Sequence, residues 1–502
     1  MNDLIQATGE LFSFLPLLFL FIGVLLGIVG GALPGITGAM MIALCLPLTF
    51  TMEPTNALTL LISIYVGAIS GGLITATLMR MPGTPAAVMT TLDGYPLAQS
   101  GQPGRALGLS ITASFVGGLI SFIFLVLLSR PLSEFASRFG PYELFSLVMM
   151  ALVLMASVSQ GSMLKGLLSG FLGMVVAIPG TDPSTGFPRL TFGVTEMNSG
   201  FGMLPVLIGV YCISQLLKDI VEIGRKPVSS NATKTGIFMK LKDWKDQAVN
   251  LIRSSLIGTW IGILPGIGAN IGSVVAYSAA QKMSKTPEKF GKGSEEGIVA
   301  SEAANNATVG GALIPLIAMG IPGSVIDAIL IGALMIHGIT PGPLLFKQEP
   351  QLVYGMMSAY FIANIIMFVL MILLAARIAK LMFVNRAWVL PPITVLCILG
   401  AYATSNSFFS VWVMFAFGVF GYFLDRWGVP LGPFVIGFVL APIAETKLRS
   451  GLGIHRGDIT PLFTSPLSLT FLILSAVLLF WPILKPLWGK LKDRSQKTPS
   501  PS

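Results

Sequence analysis

The sequence predicts an all-α polytopic membrane protein of about 11–12 transmembrane elements, arranged as two inverted-topology repeats with broken helices or re-entrant hairpins. Three observations predict it: a large excess of apolar over charged residues, motifs that recur at a nearly fixed offset, and Pro-Gly pairs set inside apolar runs. Of 502 residues, 54% are hydrophobic and 11% charged, whereas soluble proteins carry about 25% charge. So few charges cannot cover a soluble surface of this size. No long polar stretch is left over for a soluble domain, and no G-x-x-x-x-G-K-[ST] phosphate loop occurs. Soluble enzymology and nucleic-acid binding are therefore disfavoured. Any energy used comes from outside the chain or from an ion gradient.

The 31 basic and 22 acidic residues leave a net charge of +9, which in a membrane protein is an orientation signal. Lys218, Arg225, Lys226, Lys234, Lys240 and Lys245 crowd the one extended polar stretch, and Lys490, Lys492, Arg494 and Lys497 crowd the tail. Both are expected on the cytoplasmic side. The N-terminus carries Asp3 and Glu10 but no basic side chain, so it is expected outside, with its first apolar run retained. Cys45, Cys212 and Cys397 lie far apart in apolar runs, and His337 and His455 are scattered. No metal site is expected from them.

Two halves of the chain match in order. Gly27, Gly31, Leu33, Pro34, Gly35 and Ile36 answer to Gly258, Gly262, Leu264, Pro265, Gly266 and Ile267. Gly71, Pro82, Gly83 and Thr84 answer to Gly311, Pro322, Gly323 and Ser324, and Gly170 and Gly173 to Gly418 and Gly421. The expected organisation is a first membrane repeat (1–220), a basic cytoplasmic linker (221–250), a second repeat (251–460), an additional C-terminal transmembrane helix (461–488) and a basic cytoplasmic tail (489–502). The loop around Glu53 has no basic residue, whereas its counterpart holds Lys282, Lys285, Lys289 and Lys292. Equivalent loops of opposite charge bias favour inversion; parallel duplication is the alternative.

The matched motifs interrupt apolar runs. Ile252–Leu264 and Ile267–Ala280 are each too short to span a bilayer at 1.5 Å per residue. Backbone groups freed at such breaks are tolerated only inside protein or along a polar cavity. Half-helix N-termini attract anions. This selects Pro34, Gly35, Ile36, Thr37, Gly38, Pro82, Gly83, Thr84, Pro265, Gly266, Gly268, Asn270, Pro322, Gly323 and Ser324 as a candidate substrate site, against the plainer reading of ordinary kinks or close helix packing. Asn305 and Asn306 are candidate cavity residues or an interfacial helix cap. Thr75 and Thr77 precede the first-half break, and Arg80 either neutralises an anion or snorkels to the interface. Asp327 either helps bind a coupling cation or forms an interfacial ion pair. Asp93-Gly94-Tyr95-Pro96 reads as a loop turn.

Taken together, Gly31-Ala32-Leu33-Pro34-Gly35-Ile36-Thr37-Gly38, Pro82-Gly83-Thr84-Pro85, Leu92-Asp93-Gly94-Tyr95-Pro96, Glu302-Ala303-Ala304-Asn305-Asn306 and Met335-Ile336-His337-Gly338 resemble the large membrane subunit of the tripartite tricarboxylate transporter family. The resemblance covers nearly the whole chain. It implies a permease subunit in the bacterial cytoplasmic membrane that works with a small membrane subunit and a periplasmic solute-binding protein. It further implies import of organic carboxylates, of tricarboxylate or dicarboxylate type, by ion-gradient coupling. No cofactor is implied beyond a coupling cation, sodium or proton. Arg80-Met81 departs from the Asn-Thr usual in that family, which puts substrate charge preference in question. An anion-selective channel using the same half-helix dipoles is the alternative function, and an intramembrane enzyme the weakest, for want of a nucleophile–base set.

Overall fold

The computed structural model describes residues 2–33, 35–158, 162–182, 185–221, 237–266, 268–380 and 386–495. Pro34, Ile267, half of the expected basic linker (222–236) and the end of the tail (496–502) lie outside the described residues. The chain runs through α1 (Asn2–Glu10), α2 (Phe14–Ala32), α3 (Gly38–Cys45), α4 (Pro54–Met79), α5 (Thr90–Gln99), α6 (Pro103–Ala136), α7 (Pro141–Val158), α8 (Met163–Val176) and α9 (Met203–Val221). It continues through α10 (Leu241–Ile263), α11 (Gly268–Met283), α12 (Glu295–Met319), α13 (Val325–Ile336), α14 (Pro350–Ile378), α15 (Arg386–Ala403), α16 (Phe408–Arg426), α17 (Leu431–Ile454) and α18 (Pro466–Ser495). A two-residue antiparallel ribbon, Gly180–Thr181 with Pro188–Arg189, joins the α8–α9 connection. This is an all-α polytopic membrane protein. Among the described residues α2, α4, α6, α9, α14, α16 and α17 are long and apolar enough to cross a membrane.

The interruptions reverse the chain. A Cβ on Gly272 of α11 would stand 3.7 Å from Gly258 Cα of α10, so these consecutive helices run back to back around Pro265. Gly30 of α2 likewise packs on the Met41 side chain of α3. Both are hairpins.

Glycines set how closely these hairpins sit on the central helices. A Cβ on Gly27 would lie 2.7 Å from the Ala68 nitrogen of α4, and one on Gly262 would lie 3.0 Å from the Ala312 nitrogen of α12. Backbone meets backbone in both places, which only small residues allow. The neighbours then alternate between halves: α6 packs along α12 while α14 packs along α4, and α8 packs on α17 while α16 packs on α9. As a result α4 and α12 are buried along nearly their whole length.

Three sequence expectations change. The half-helix expected to begin at Ile252 begins at Leu241, inside the expected linker, because Asp243 accepts from the Lys240 N–H at 2.7 Å and caps the helix start. Arg105 at the start of α6 then grips both Asp243 (2.8 Å) and Glu295 of α12 (2.7 Å), and its hydrogen bonds hold the Asp243 carboxyl down at about 2. A carboxyl lowered in this way stabilises the fold at pH above its ordinary value, and the contribution is lost as pH falls through about 2. Second, Asp93-Gly94-Tyr95-Pro96 is not a loop turn but part of α5. The buried Asp93 carboxylate accepts from the N–H groups of Gly291, Gly293 and Ser294 (2.8–2.9 Å) and from Tyr277 OH (2.8 Å), tying α5 to the loop before α12. Third, Asn305 and Asn306 sit in the buried middle of α12 and are no helix cap, a position that Ser294 takes instead.

Overpacking at these contacts costs about 1–3 kcal/mol or more. Gly27→Leu and Gly258→Leu are therefore expected to lower the melting temperature of the detergent-purified protein. Gly9→Ala, at a position with no atom within 4 Å of the new Cβ, is expected to leave it unchanged.

Candidate functional site

Four interruptions meet at one cavity of about 490 Å³. Its wall includes Thr37 and Gly38 from the first, Thr84 and Pro85 from the second, Gly266, Gly268 and Asn270 from the third, and Ser324 and Val325 from the fourth. Two of these breaks bond to each other through backbone alone: Gly266 N–H donates to Pro322 C=O and Gly268 N–H to Gly323 C=O, both at 3.2 Å. The turns require positive φ at Gly266 (+76°) and Gly268 (+68°), where a side chain would be strained.

Four helices of eight or more residues start at the wall, α3, α11, α13 and α17. Thr37 caps α3 by accepting from Met40 N–H (3.2 Å), and Ser324 caps α13 by accepting from Asp327 N–H (3.4 Å). The first-turn N–H groups of a helix have no partner within it, and the helix dipole adds positive potential there. Convergence of four such ends makes the cavity suited to an anion. Few fixed charges are present: Lys218 and Asp425 line the wall and pair at 2.7 Å. Their side chains are 28% and 48% exposed, whereas Thr84 and Tyr65 are buried, so the cavity opens beside the Lys218–Asp425 pair.

The remaining candidates sit around the cavity. Gly35, at φ +96°, packs beside Asp219 and Gln215, and Ile36 is in the core. Pro265, Pro322 and Gly323 are buried behind the wall, and Gly83 packs on Gly31 and Gly72. Pro82 is exposed. Thr75 and Thr77 lie inside α4, where they seat Gly83 and Gly94. Arg80 is exposed and ends α4 in a left-handed conformation, φ 57°, with Met81 N–H donating to Thr75 C=O (3.4 Å). Its counterpart Gly320 has φ 70° and the matching bond from Ile321 to Pro315 (3.3 Å). Arg80 thus occupies a helix-ending position that glycine fills in the other half. Asn306 donates to Ser70 Oγ at 2.6 Å across the α4–α12 contact, and Asn305 is buried nearby. Neither reaches the wall.

Sequence reasoning missed Tyr65, Gln215, Lys218 and Asp425 as wall residues. Lys218 carried the only signal, and it was absorbed into the basic linker. Asp327 is fully buried, one turn into α13, and neither carboxylate oxygen has a hydrogen-bond partner among the described residues. An interfacial ion pair is excluded by that burial.

The native cysteines are all buried, which makes introduced thiols readable. Cysteine at Thr37, Asn270 or Ser324 is expected to react with a small methanethiosulfonate reagent, and cysteine at Asn305 to stay inert, measured by mass shift of the purified protein.

The model of the tripartite tricarboxylate transporter TctA family matches residues 17–436. A 52.8 kDa protein of Agrobacterium vitis, described as uncharacterized and encoded in the TAR-I ttuC' 3' region, is 34% identical over 452 residues, 90% of each chain. A second protein of that organism, described as uncharacterized in the TAR-II ttuC' 3' region, is 34% identical over 233 residues, covering 46% of this chain and 96% of its own. No solved structure matches.

Proposed function

Because the chain belongs to the tripartite tricarboxylate transporter TctA family, we propose that it is the large subunit of an ion-gradient-driven importer of organic carboxylates and that the four-break cavity is its substrate site. The observation that carries this reading is the convergence of the starts of α3, α11 and α13 on one cavity whose single cation among the described residues, Lys218, is already paired. N–H groups and hydroxyls fixed at helix starts bind carboxylate without a buried free charge. A volume of about 490 Å³ is in the range of small-molecule sites, roughly 300–1,000 Å³.

Alternating access follows from the repeats. The reciprocal packing of α6 on α12 and α14 on α4, and of α8 on α17 and α16 on α9, is what a two-fold relation between matched halves produces. The contrast between the Glu53 loop and the lysine-rich 282–292 loop supports an axis in the membrane plane. In this reading the linker and C-terminus are cytoplasmic, the N-terminus is periplasmic, and the protein sits in a bacterial inner membrane. Lys218 lies three residues before the linker, so the opening beside it faces the cytoplasm. A periplasmic solute-binding protein delivers the carboxylate from the other side, and a small membrane subunit completes the complex.

A hydrogen bond to a charged group contributes about 1.5–3 kcal/mol. Ser324→Ala and Thr37→Ala are therefore expected to raise the apparent KM for citrate or a dicarboxylate roughly tenfold or more in membrane vesicles, with normal expression. Saturable uptake that stops when ion gradients collapse is the expected wild-type behaviour. Unsaturable flux that persists without gradients would contradict the proposal.

A further inference from the structure

We propose that Asp327 is the site where a monovalent coupling cation, a proton or a sodium ion, neutralises the protein during transport; this rests on the transport reading above. A carboxylate at the third position of a helix that follows a serine cap usually bonds back to the cap N–H. Here Ser324 and its backbone lie close to the Asp327 carboxylate, but among the described residues neither Asp327 oxygen has a partner at full hydrogen-bond geometry. The residue is 0% exposed. An ionised carboxylate left without partners in such a place is costly. A bound cation removes that cost, either as a proton added to one carboxylate oxygen or as a sodium ion held at both, with no electron transferred.

The surroundings fit this use. Ser324 Oγ stands between Asp327 and the cavity: it lines the wall, accepts from the Asp327 N–H, and lies 3.1 Å from Tyr65 OH. Tyr65 is the ionisable group that α4 brings to Asp327. Of the other elements packed on α13, α3 carries Cys45 at its far end and α17 has Glu445, Lys447 and Arg449 beyond Pro442, while the Met203–Ile208 turns of α9 carry no ionisable group. Glu302 of α12 is engaged by Thr90 and Ser114, and His337 lies at the opposite end of α13. Among the described residues no lysine or arginine pairs with Asp327.

Coupling then follows from position. The anion is bound at the start of α13, and Asp327 sits one turn into the same helix. Its negative charge opposes the anion and cancels the favourable helix potential. Cation binding at Asp327 therefore strengthens anion binding, and by linkage the anion strengthens cation binding by the same factor, which is the thermodynamic requirement for symport.

The test uses the full-length protein reconstituted in liposomes together with its small membrane subunit and supplied with its solute-binding protein, with wild type, Asp327→Asn and Asp327→Glu, and labelled citrate, succinate and lactate as probes. One arm imposes a pH gradient and the other a sodium gradient. Wild type is expected to accumulate at least one probe under one of the gradients. Asp327→Asn is expected to lose that accumulation at least tenfold while still exchanging internal for external probe, and its probe affinity no longer depends on the driving cation. Asp327→Glu is expected to keep partial coupling. Gradient-driven accumulation by Asp327→Asn at the wild-type level overturns the proposal and leaves the transport reading intact. A loss of exchange equal to the loss of accumulation in both variants also overturns it, in favour of a structural role. A wild type that carries none of the probes overturns the transport reading, and this proposal with it.

Discussion

Backbone groups released from a helix inside a bilayer have no water to turn to, and each left unsatisfied costs several kcal/mol. Four Pro-Gly interruptions in apolar runs concentrate that constraint in one chain. The structure meets it by bringing the interruptions together, so that Gly266 and Gly268 donate to the carbonyls of Pro322 and Gly323. The hydroxyls of Thr37 and Ser324 take up further N–H groups at the starts of α3 and α13. The remaining first-turn donors face a shared space, and that space is the cavity. The polar interior of this protein is thus made largely from main chain, which accounts for a site with so little fixed charge.

Keeping four helix breaks at one point places demands on everything around them. The breaks can meet only if α2 and α10 lie unusually close to α4 and α12, and glycines at the crossings permit this. The outer helices then bind the two halves through exchanged neighbours, α6 on α12 and α14 on α4. Polar ties outside the apolar core fix the same arrangement. Arg105 joins the starts of α6, α10 and α12, while Asp93 anchors the loop before α12. Anion recognition, close helix packing and the duplicated architecture are three consequences of one backbone problem.

Much of this was legible in local sequence. Pro-Gly pairs inside apolar runs announce broken helices wherever the partners lie, and hydroxyl or amide residues beside them marked Thr37, Thr84, Asn270 and Ser324, all on the cavity wall. What was not legible depends on tertiary neighbours. Tyr65 reaches the cavity because α4 passes Ser324, and Asp425 because α16 ends beside Lys218; no local pattern signals either. Arg80 is marked as a cation near a break; that it also holds the left-handed end of α4 is visible only when Gly320 is set beside it. Asn305 and Asn306 are marked because buried amides are costly; that the Asn306 amide donates to Ser70 on the neighbouring helix depends on how α4 and α12 pack and could not be read locally.

The central claim is that an anion sits where the starts of α3, α11 and α13 converge. An experimental structure of the full-length protein in lipid nanodiscs, determined with and without a saturating tri- or dicarboxylate, tests it most directly. The account predicts ligand density within hydrogen-bond reach of the first-turn N–H groups at Gly38, Asn270 and Val325 and of Ser324 Oγ, with the four breaks in contact. Density bound elsewhere, or breaks that face lipid apart from one another, would contradict it.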